Sequence, residues 1–390
     1  MNKKKLKIAV LGSTGSIGVT SLKIMANYEH FFNIELLVCN KNYKKILTQI
    51  KKFLPRYVYI NNSNIREIVK KKKFKKKIIF FNSFEELCSV IENKKIKFDK
   101  VIHGISSFTG INFMFKFINN SKEILVANKE SIICGGNVLL NKADKVNCLI
   151  RSIDSEHYCI TELLKSTKLN DIDEVYITAS GGPFLEIQNK SKLKSSVHKV
   201  LKHPTWSMGK KISVDSANMI NKIFEVLEAH ILFKIPLKKI KIKIHKESLV
   251  HCAIICKNGL VKMIMHDTSM EIPIRNCLLD NTSSKGNLKF KQKNAFHLTF
   301  DEKNISSFDI FKVYKNIINS GHAGWIVFNV INDILVEKFL KKEIFFFEIT
   351  KKLIKIFSNS SLLRIKKIKI KSITDIKNTI NFSKNLSNLI

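Results

Sequence analysis

Asp154 and Glu156 stand two residues apart after the strand-like run 149–153. At a strand end that spacing turns both carboxylates to one side, where they can share one cation. Glu225 would complete a three-carboxylate set, and hard oxygen ligands without a paired His or Cys suit Mg2+ or Mn2+ rather than zinc. Glu228, one turn on, is the alternative ligand, but Glu225 shares a helical face with Asn221 and Lys222. All four lie in the segment 203–228, HPTWSMGKKISVDSANMINKIFEVLE. Ser213, Asp215 and Ser216 read there as capping residues, and Met219, Ile223, Val226 and Leu227 recur at helical spacing, so a helix is expected to begin near Ser216. The unpaired N–H groups and positive dipole end of such a helix grip a phosphate, with Ser216, Asn221 and Lys222 adding donors.

A second constellation opens the chain. The apolar run 6–11 leads into Gly12-Ser13-Thr14-Gly15-Ser16-Ile17-Gly18, followed by the helical pattern Val19, Leu22, Ile24, Met25. Strand, glycine turn and helix come in dinucleotide-binding order: the glycines permit a tight turn and close backbone approach, so a pyrophosphate can rest on the helix start. The run 34–39 ends in Asn40-Lys41-Asn42, where an NAD enzyme would carry an acid for the ribose hydroxyl. A lysine between two amides suits a 2′-phosphate instead, which favours NADP.

The elements that must position these groups follow from the hydrophobic pattern. Strands are expected at 57–60, 78–81, 101–105 and 124–127, continuing a doubly wound sheet. Beyond residue 150 the runs 149–153 and 174–178 end in polar loops, the second being Ser180-Gly181-Gly182-Pro183. The polar stretch that follows, with Trp206, reads as a lid. Further strands are expected at 240–244, 249–255 and 260–265, and helical periodicity runs from about Phe308. The fold class is α/β: a Rossmann-like doubly wound sheet at 1–150, a central α/β catalytic, metal-binding and dimerisation domain at 151–280 with a lid at about 181–210, a connector at 281–304, and a C-terminal helical bundle at 305–390.

Composition sets limits on partners. The 390 residues include 68 basic and 32 acidic ones, a formal charge of +36 that would draw polyanions. Arginine, however, occurs only at positions 56, 66, 151, 275 and 364. The bidentate fork used to read phosphates and bases is therefore scarce, and the excess of lysine reads as compositional drift rather than a nucleic-acid footprint. The lysine run 70–77 reads as a solvated surface. Eight cysteines show no C-x-x-C pair, as expected of reduced cytoplasmic thiols. The N-terminal apolar run is too short for a signal or a membrane span.

Taken together, GSTGSIG at 12–18, ANKES at 127–131, DSEH at 154–157, SGGPF at 180–184, HPTWSMGKKISVDSA at 203–217 and NKIFEVLEA at 221–229 resemble, in order and from end to end, the 1-deoxy-D-xylulose 5-phosphate reductoisomerase family. The resemblance implies an NADPH-dependent homodimer with one divalent cation per subunit (Mn2+, Mg2+ or Co2+), acting on a sugar phosphate in isoprenoid precursor synthesis. It assigns the metal to Asp154, Glu156 and Glu225, and substrate contacts to Ser155, Ser180, His203, Trp206, Ser216, Asn221 and Lys222. It assigns the cofactor to Thr14, Gly15, Ser16, Ile17, Asn40, Lys41, Asn42, Asn128, Glu130 and Gly209. Lys129, Glu156, Lys222 and Glu225 would be catalytic.

The pattern is broken in places. Asn40 replaces a usual glycine, the turn 105–110 (ISSFTG) replaces an IVGxAG-like one, and Thr268-Ser269-Met270-Glu271 replaces a PDMR-like loop. His103, His157, His245 and His251 read as hydrogen-bonded structural residues. Two rival functions remain. Cys134 raises an NADP-dependent dehydrogenase of the semialdehyde type, against which stands the lack of a recognisable base; the net charge raises a basic nucleic-acid or membrane-surface binding protein on an inactive Rossmann scaffold.

Overall fold

The computed structural model describes residues 4–187, 195–203, 205–206, 208–280, 290, 297–301, 305–358 and 365–388. The expected connector 281–304 and part of the expected lid, 188–194 with positions 204 and 207, lie largely or wholly outside them. The described residues divide into two compact units.

The first unit comprises Met1–Asn128, Leu140–Asp154 and Met270–Asn287. Its strands are β1 Leu6–Leu11, β2 Phe32–Cys39, β3 Tyr57–Ile60, β4 Ile79–Phe81, β5 Phe98–His103, β6 Ser121–Val126 and β7 Leu149–Ser152. They pair in parallel in the order β4-β3-β2-β1-β5-β6-β7. Ile8, Val10, Leu36, Val58, Val101 and Ile124 are fully buried, as expected of parallel strands covered on both faces. The strand order reverses beside β1, between β2 and β5, and the glycine turn leaves β1 at that switch point.

Helix Glu271–Leu279 also belongs to this unit and closes on Asp280, whose φ of 50° is left-handed. Asp280 and Glu123 face Lys100 and Arg151 in a closed square. Lys100 Nζ lies 2.8 Å from Glu123 and 2.9 Å from Asp280, and Arg151 lies 2.8 and 3.1 Å from the same two acids. Lys100, Glu123 and Arg151 come from the neighbouring strands β5, β6 and β7, so the square pins the returning helix to the sheet.

The second unit comprises Lys129–Leu139, Ser155–Ser269 and Leu288–Ile390. It carries β8 Ile172–Ala179, β9 Ile240–Ile244, β10 Val250–Cys256 and β11 Val261–Met265. The sheet order is β11-β10-β8-β9, antiparallel except for β8 with β9. Helix Gly321–Leu340 is apolar around much of its circumference, with Ile326, Val327, Phe328, Val330 and Ile331 all fully buried, and it serves as the core of the C-terminal helices Phe346–Ser358 and Ile373–Asn388. This division differs from the expected boundaries: residues 129–139 group with the second unit, helix Glu271–Leu279 with the first, and the C-terminal helices form no unit of their own.

Helix Lys129–Lys145 is broken at Gly136 (φ 48°, ψ −144°). The break strips Ile133 and Cys134 of helical partners, and His322 Nε2 donates to both carbonyls at 3.1 Å. A Cβ at Gly136 would lie 2.4 Å from that ring, so glycine is required there for space as well as for φ.

Candidate functional site

In the first unit the glycine turn after β1 is tight and leads straight into a helix. Gly12 sits at φ 84°, and a Cβ there would lie 2.6 Å from the Gly104 carbonyl. A Cβ at Gly18 would lie 2.5 Å from Gly12 O, so this glycine lets helix Ser16–Asn27 start tight against the turn. Gly15 caps that helix without any side-chain hydrogen bond, which leaves the N–H groups of the first turn facing outward beside exposed Gly15 and Ser16. Buried Gln49 donates to Ser13 O at 2.8 Å and braces the turn, a role that no local pattern announces.

Asn40, Lys41 and Asn42 lie exposed just past β2. Asn42 has a structural task as well: its Oδ1 accepts from Lys45 N at 3.1 Å and caps helix Tyr43–Phe53. Asn128 ties the departing loop in place by donating to Ile105 O and, at 2.9 Å, to Ser107 O. Ser107 stands where the family pattern has glycine, at φ 80° and ψ 160°, a region that side chains rarely enter.

The helix expected to begin near Ser216 does not. Ser213, Asp215 and Ser216 lie inside helix Lys210–Ala217, and a new helix, Ile220–Phe233, starts after Met219, whose φ is 66°. The break is made by Asn218, whose Oδ1 accepts from Ile220 N at 3.1 Å. Ser216 therefore sits at the C-terminal end of one helix, while Asn221 and Lys222 occupy the first turn of the next. Ser216 is brought toward Ser180 by the glycine pair. Gly181 and Gly182 take φ 84° and 65°, and a Cβ on Gly182 would lie 2.9 Å from Ser216 O.

Around the new helix start the second unit gathers the charged groups. Lys222 Nζ pairs with Glu225 and, at 2.8 Å, with Glu156. Lys129 Nζ lies 3.0 Å from Glu225 Oε1 and 2.9 Å from Asn221 Oδ1, and Asn221 Nδ2 donates to that same Glu225 oxygen at 2.5 Å. Ser155 Oγ donates to Glu156 Oε2 at 2.5 Å. Burial pushes the Lys222 ammonium down, but Glu156 and Glu225 outweigh it and hold its pKa above the ordinary value. Asp154 ends the first unit one peptide bond before Ser155. One ligand atom each from Asp154, Glu156 and Glu225 lie within 4.8 Å of one another, a separation that one cation can span.

Glu228 enters a second acid–histidine grouping with Asp154 and His157. His157 Nε2 donates to Glu225 O at 3.0 Å, while Nδ1 lies 3.5 Å from Glu228. Thus His157 braces the Glu225 turn of the helix.

The described residues of the expected lid converge on one imidazole. His203 Nδ1 accepts from Trp206 N at 3.0 Å and from Thr205 N at 3.2 Å, so the proton sits on Nε2, which donates to Ser180 Oγ at 3.1 Å. Burial, and then the nearby Lys222 charge, push His203 down to about 4. The Trp206 indole meets the His251 ring edge-on, with centroids 5.8 Å apart. Gly209 has an ordinary φ of −66°, and a Cβ there would meet nothing within 4 Å, so neither conformation nor packing calls for glycine.

The other histidines behave as expected: His245 Nδ1 donates to Thr299 O at 2.9 Å, and His251 Nε2 lies 3.2 Å from His266 O. Cys134 is buried, and burial raises its thiol pKa, which argues against a nucleophile. All eight cysteines are free and buried.

Residues 8–136 match the family model described as 1-deoxy-D-xylulose 5-phosphate reductoisomerase, residues 150–233 that of its C-terminal domain, and residues 265–385 the DXP reductoisomerase C-terminal domain. The chain is 39% identical over 377 residues to 1-deoxy-D-xylulose 5-phosphate reductoisomerase of Pelagibacter ubique, covering 95% of this chain and 96% of that one. It is 33% identical over 397 residues to the Clostridium novyi protein of the same name, covering 96% and 99%. A crystal structure of DOX-P reductoisomerase in complex with NADPH, fosmidomycin and magnesium superposes with a TM-score of 0.86 at 25% identity, covering 98% of each chain.

Proposed function

The chain belongs to the 1-deoxy-D-xylulose 5-phosphate reductoisomerase family, and from that premise we propose how its residues perform the family's reaction. The protein rearranges 1-deoxy-D-xylulose 5-phosphate and reduces the product to 2-C-methyl-D-erythritol 4-phosphate, using NADPH and a divalent cation. The observation that carries the site assignment is the convergence of Asp154, Glu156 and Glu225, three hard-oxygen donors, with Lys129 and Lys222 paired to the two glutamates. Such a donor set fits Mg2+ or Mn2+. When bound, the cation supplies Lewis acidity toward neighbouring sugar oxygens and NADPH supplies hydride.

The chain's own residues then divide the work. Lys129 and Lys222 pair with Glu225 and Glu156 and aim them, Asn221 shares the Glu225 Oε1 with Lys129, and Ser155 fixes the second Glu156 oxygen. Ser180, Ser216, Asn221 and Lys222 offer donors to the substrate phosphate and hydroxyls. His203, neutral over the working pH range, keeps its Nε2 proton for Ser180 and its Nδ1 for the backbone of Thr205 and Trp206, so that the indole covers the sugar and excludes water. For NADPH, the open helix start at Thr14, Gly15, Ser16 and Ile17 takes the pyrophosphate, and Asn40, Lys41 and Asn42 the 2′-phosphate. Asn128, Glu130 and Gly209 take the remainder, and the unforced glycine at 209 leaves room for close approach.

A homodimer is proposed as well, through the edge strand β11, where Leu260, Val261 and Met263 are exposed; light scattering measures it. Among the described residues no helix is long and apolar enough to cross a membrane. With free buried thiols and no arginine-rich patch, a cytoplasmic enzyme without a specific nucleic-acid partner is the reading favoured. The deciding assay is NADPH oxidation that requires both Mn2+ and the pentulose phosphate. Oxidation indifferent to either would overturn the proposal.

A further inference from the structure

Lys211, to which the family pattern assigned no task, is the hub of a buried polar seam. Its Nζ pairs with Glu130, with Asp215 at 2.8 Å and with Asp333 at 2.9 Å, and lies 5.0 Å from the Phe224 ring centroid. An ammonium has three donors, so each carboxylate can take one. The helix Gly321–Leu340 supplies the rest of the seam from a single face. Asn329 donates to Glu130 O at 3.0 Å, Asn332 to Asp215 Oδ1 at 2.8 Å, and Asp333 pairs with Lys211. Four elements thus meet on one cation: the start of helix Lys129–Lys145, helix Lys210–Ala217, the Phe224 turn of helix Ile220–Phe233, and the C-terminal helix. Burial pushes the Glu130 carboxyl up, yet Lys211 outweighs it and holds the group ionised below its ordinary value.

Two features link the seam to the cofactor. Glu130 adjoins Lys129, whose ammonium sits on Asn221 and Glu225, and Gly209 caps the helix whose first turn contains Lys211. A buried, ionised Glu130 needs a fixed countercharge. We infer that Lys211, held by the Asn329, Asn332 and Asp333 face of helix Gly321–Leu340, is a positioning residue for NADPH, fixing both Glu130 and the helix that Gly209 caps. The inference rests on the assignment of Glu130 and Gly209 to the cofactor made above.

The test is steady-state kinetics on the full chain with Mn2+, varying NADPH and the pentulose phosphate separately. Lys211→Met is expected to raise the KM for NADPH about tenfold while moving that of the sugar phosphate less than about threefold. Lys211→Arg is expected to recover most of the difference. Because Lys211→Met leaves three buried acids without their cation, the triple variant Lys211→Met/Asp215→Asn/Asp333→Asn removes the surplus charge and keeps Glu130. If Lys211 positions the cofactor, the NADPH defect persists in the triple variant. If Lys211 only balances charge for folding, the triple variant returns to the unsubstituted KM, and the inference is overturned. An unsubstituted chain that fails to turn over would sink the functional reading itself. An active chain whose NADPH KM ignores Lys211 would sink only this inference.

Discussion

Two charged clusters on the same chain show what separates scaffold from site. In the first unit, Lys100 and Arg151 face Glu123 and Asp280, and the charges cancel. At the carboxylate site, Lys129 pairs with Glu225 and Lys222 with Glu156 and Glu225, while Asp154 brings a third carboxylate within 4.8 Å of those two. A balanced square is complete as it stands and holds strands and helix together. Three carboxylates crowded in a buried place are costly by themselves and become favourable when a metal cation arrives. The convergence of acids on one point, more than burial or the number of ion pairs, distinguishes the two.

The same chemical change, Glu to Gln, should therefore have opposite signatures in the two clusters. Glu225→Gln is expected to lower turnover by roughly 10³-fold, as when a preorganised electrostatic group is removed, while NADPH binding survives. Saturating Mn2+ should raise the thermal midpoint of the unsubstituted chain and leave that of Glu225→Gln nearly unmoved. Glu123→Gln is expected to cost about 3 kcal/mol of stability in denaturant titrations, because two buried or half-buried cations lose a partner. Its kcat should stay within about twofold. A large kcat loss at Glu123, or none at Glu225, breaks the comparison.

Smaller effects sharpen it. Ser107→Gly relieves a φ of 80° and is expected to stabilise the first unit by about 1 kcal/mol, readable as a shifted denaturant midpoint. At His203 the folded-state pKa is pushed down from 6.5 to about 4, so the folded chain favours the neutral ring. The associated stability is full above pH 6.5 and is lost as pH falls through that window toward 4. Relative to His203→Gln, the unsubstituted protein should lose thermal stability across that interval and show no difference in slope above it.

Much of this was legible in the sequence, and the reasons differ by residue. Strand runs such as 6–11, 34–39 and 57–60 announce themselves because parallel strands are apolar on both faces. The Asp154 and Glu156 pairing was read from a local rule, strand alternation at i, i+2, that the structure does not follow: β7 ends at Ser152, and Glu156 lies in the first turn of helix Ser155–Leu164, so the helix start and not the strand sets its carboxylate near that of Asp154. Ser216 misled for the same reason: Ser and Asp favour caps, yet Asn218 and the left-handed Met219 two residues on decide where the helix starts. Lys211 was beyond local reading, since its partners Glu130 and Asp333 lie 81 residues before it and far beyond it in sequence. The break at Gly136 was equally hidden, because His322, which answers it, belongs to the C-terminal helices.

The return of helix Glu271–Leu279 to the first unit carries a consequence for how this molecule can be divided. The first unit is stitched from three separate stretches of chain, and its closing anion, Asp280, is made well over a hundred residues after the sheet it locks. A protease cut near residue 150 would not release a self-sufficient fragment, and a ribosome that has delivered β7 has not yet delivered the clasp. Recombination can exchange such a unit only by moving the coding stretch through residue 280, which carries strands β8 to β11 of the second unit with it.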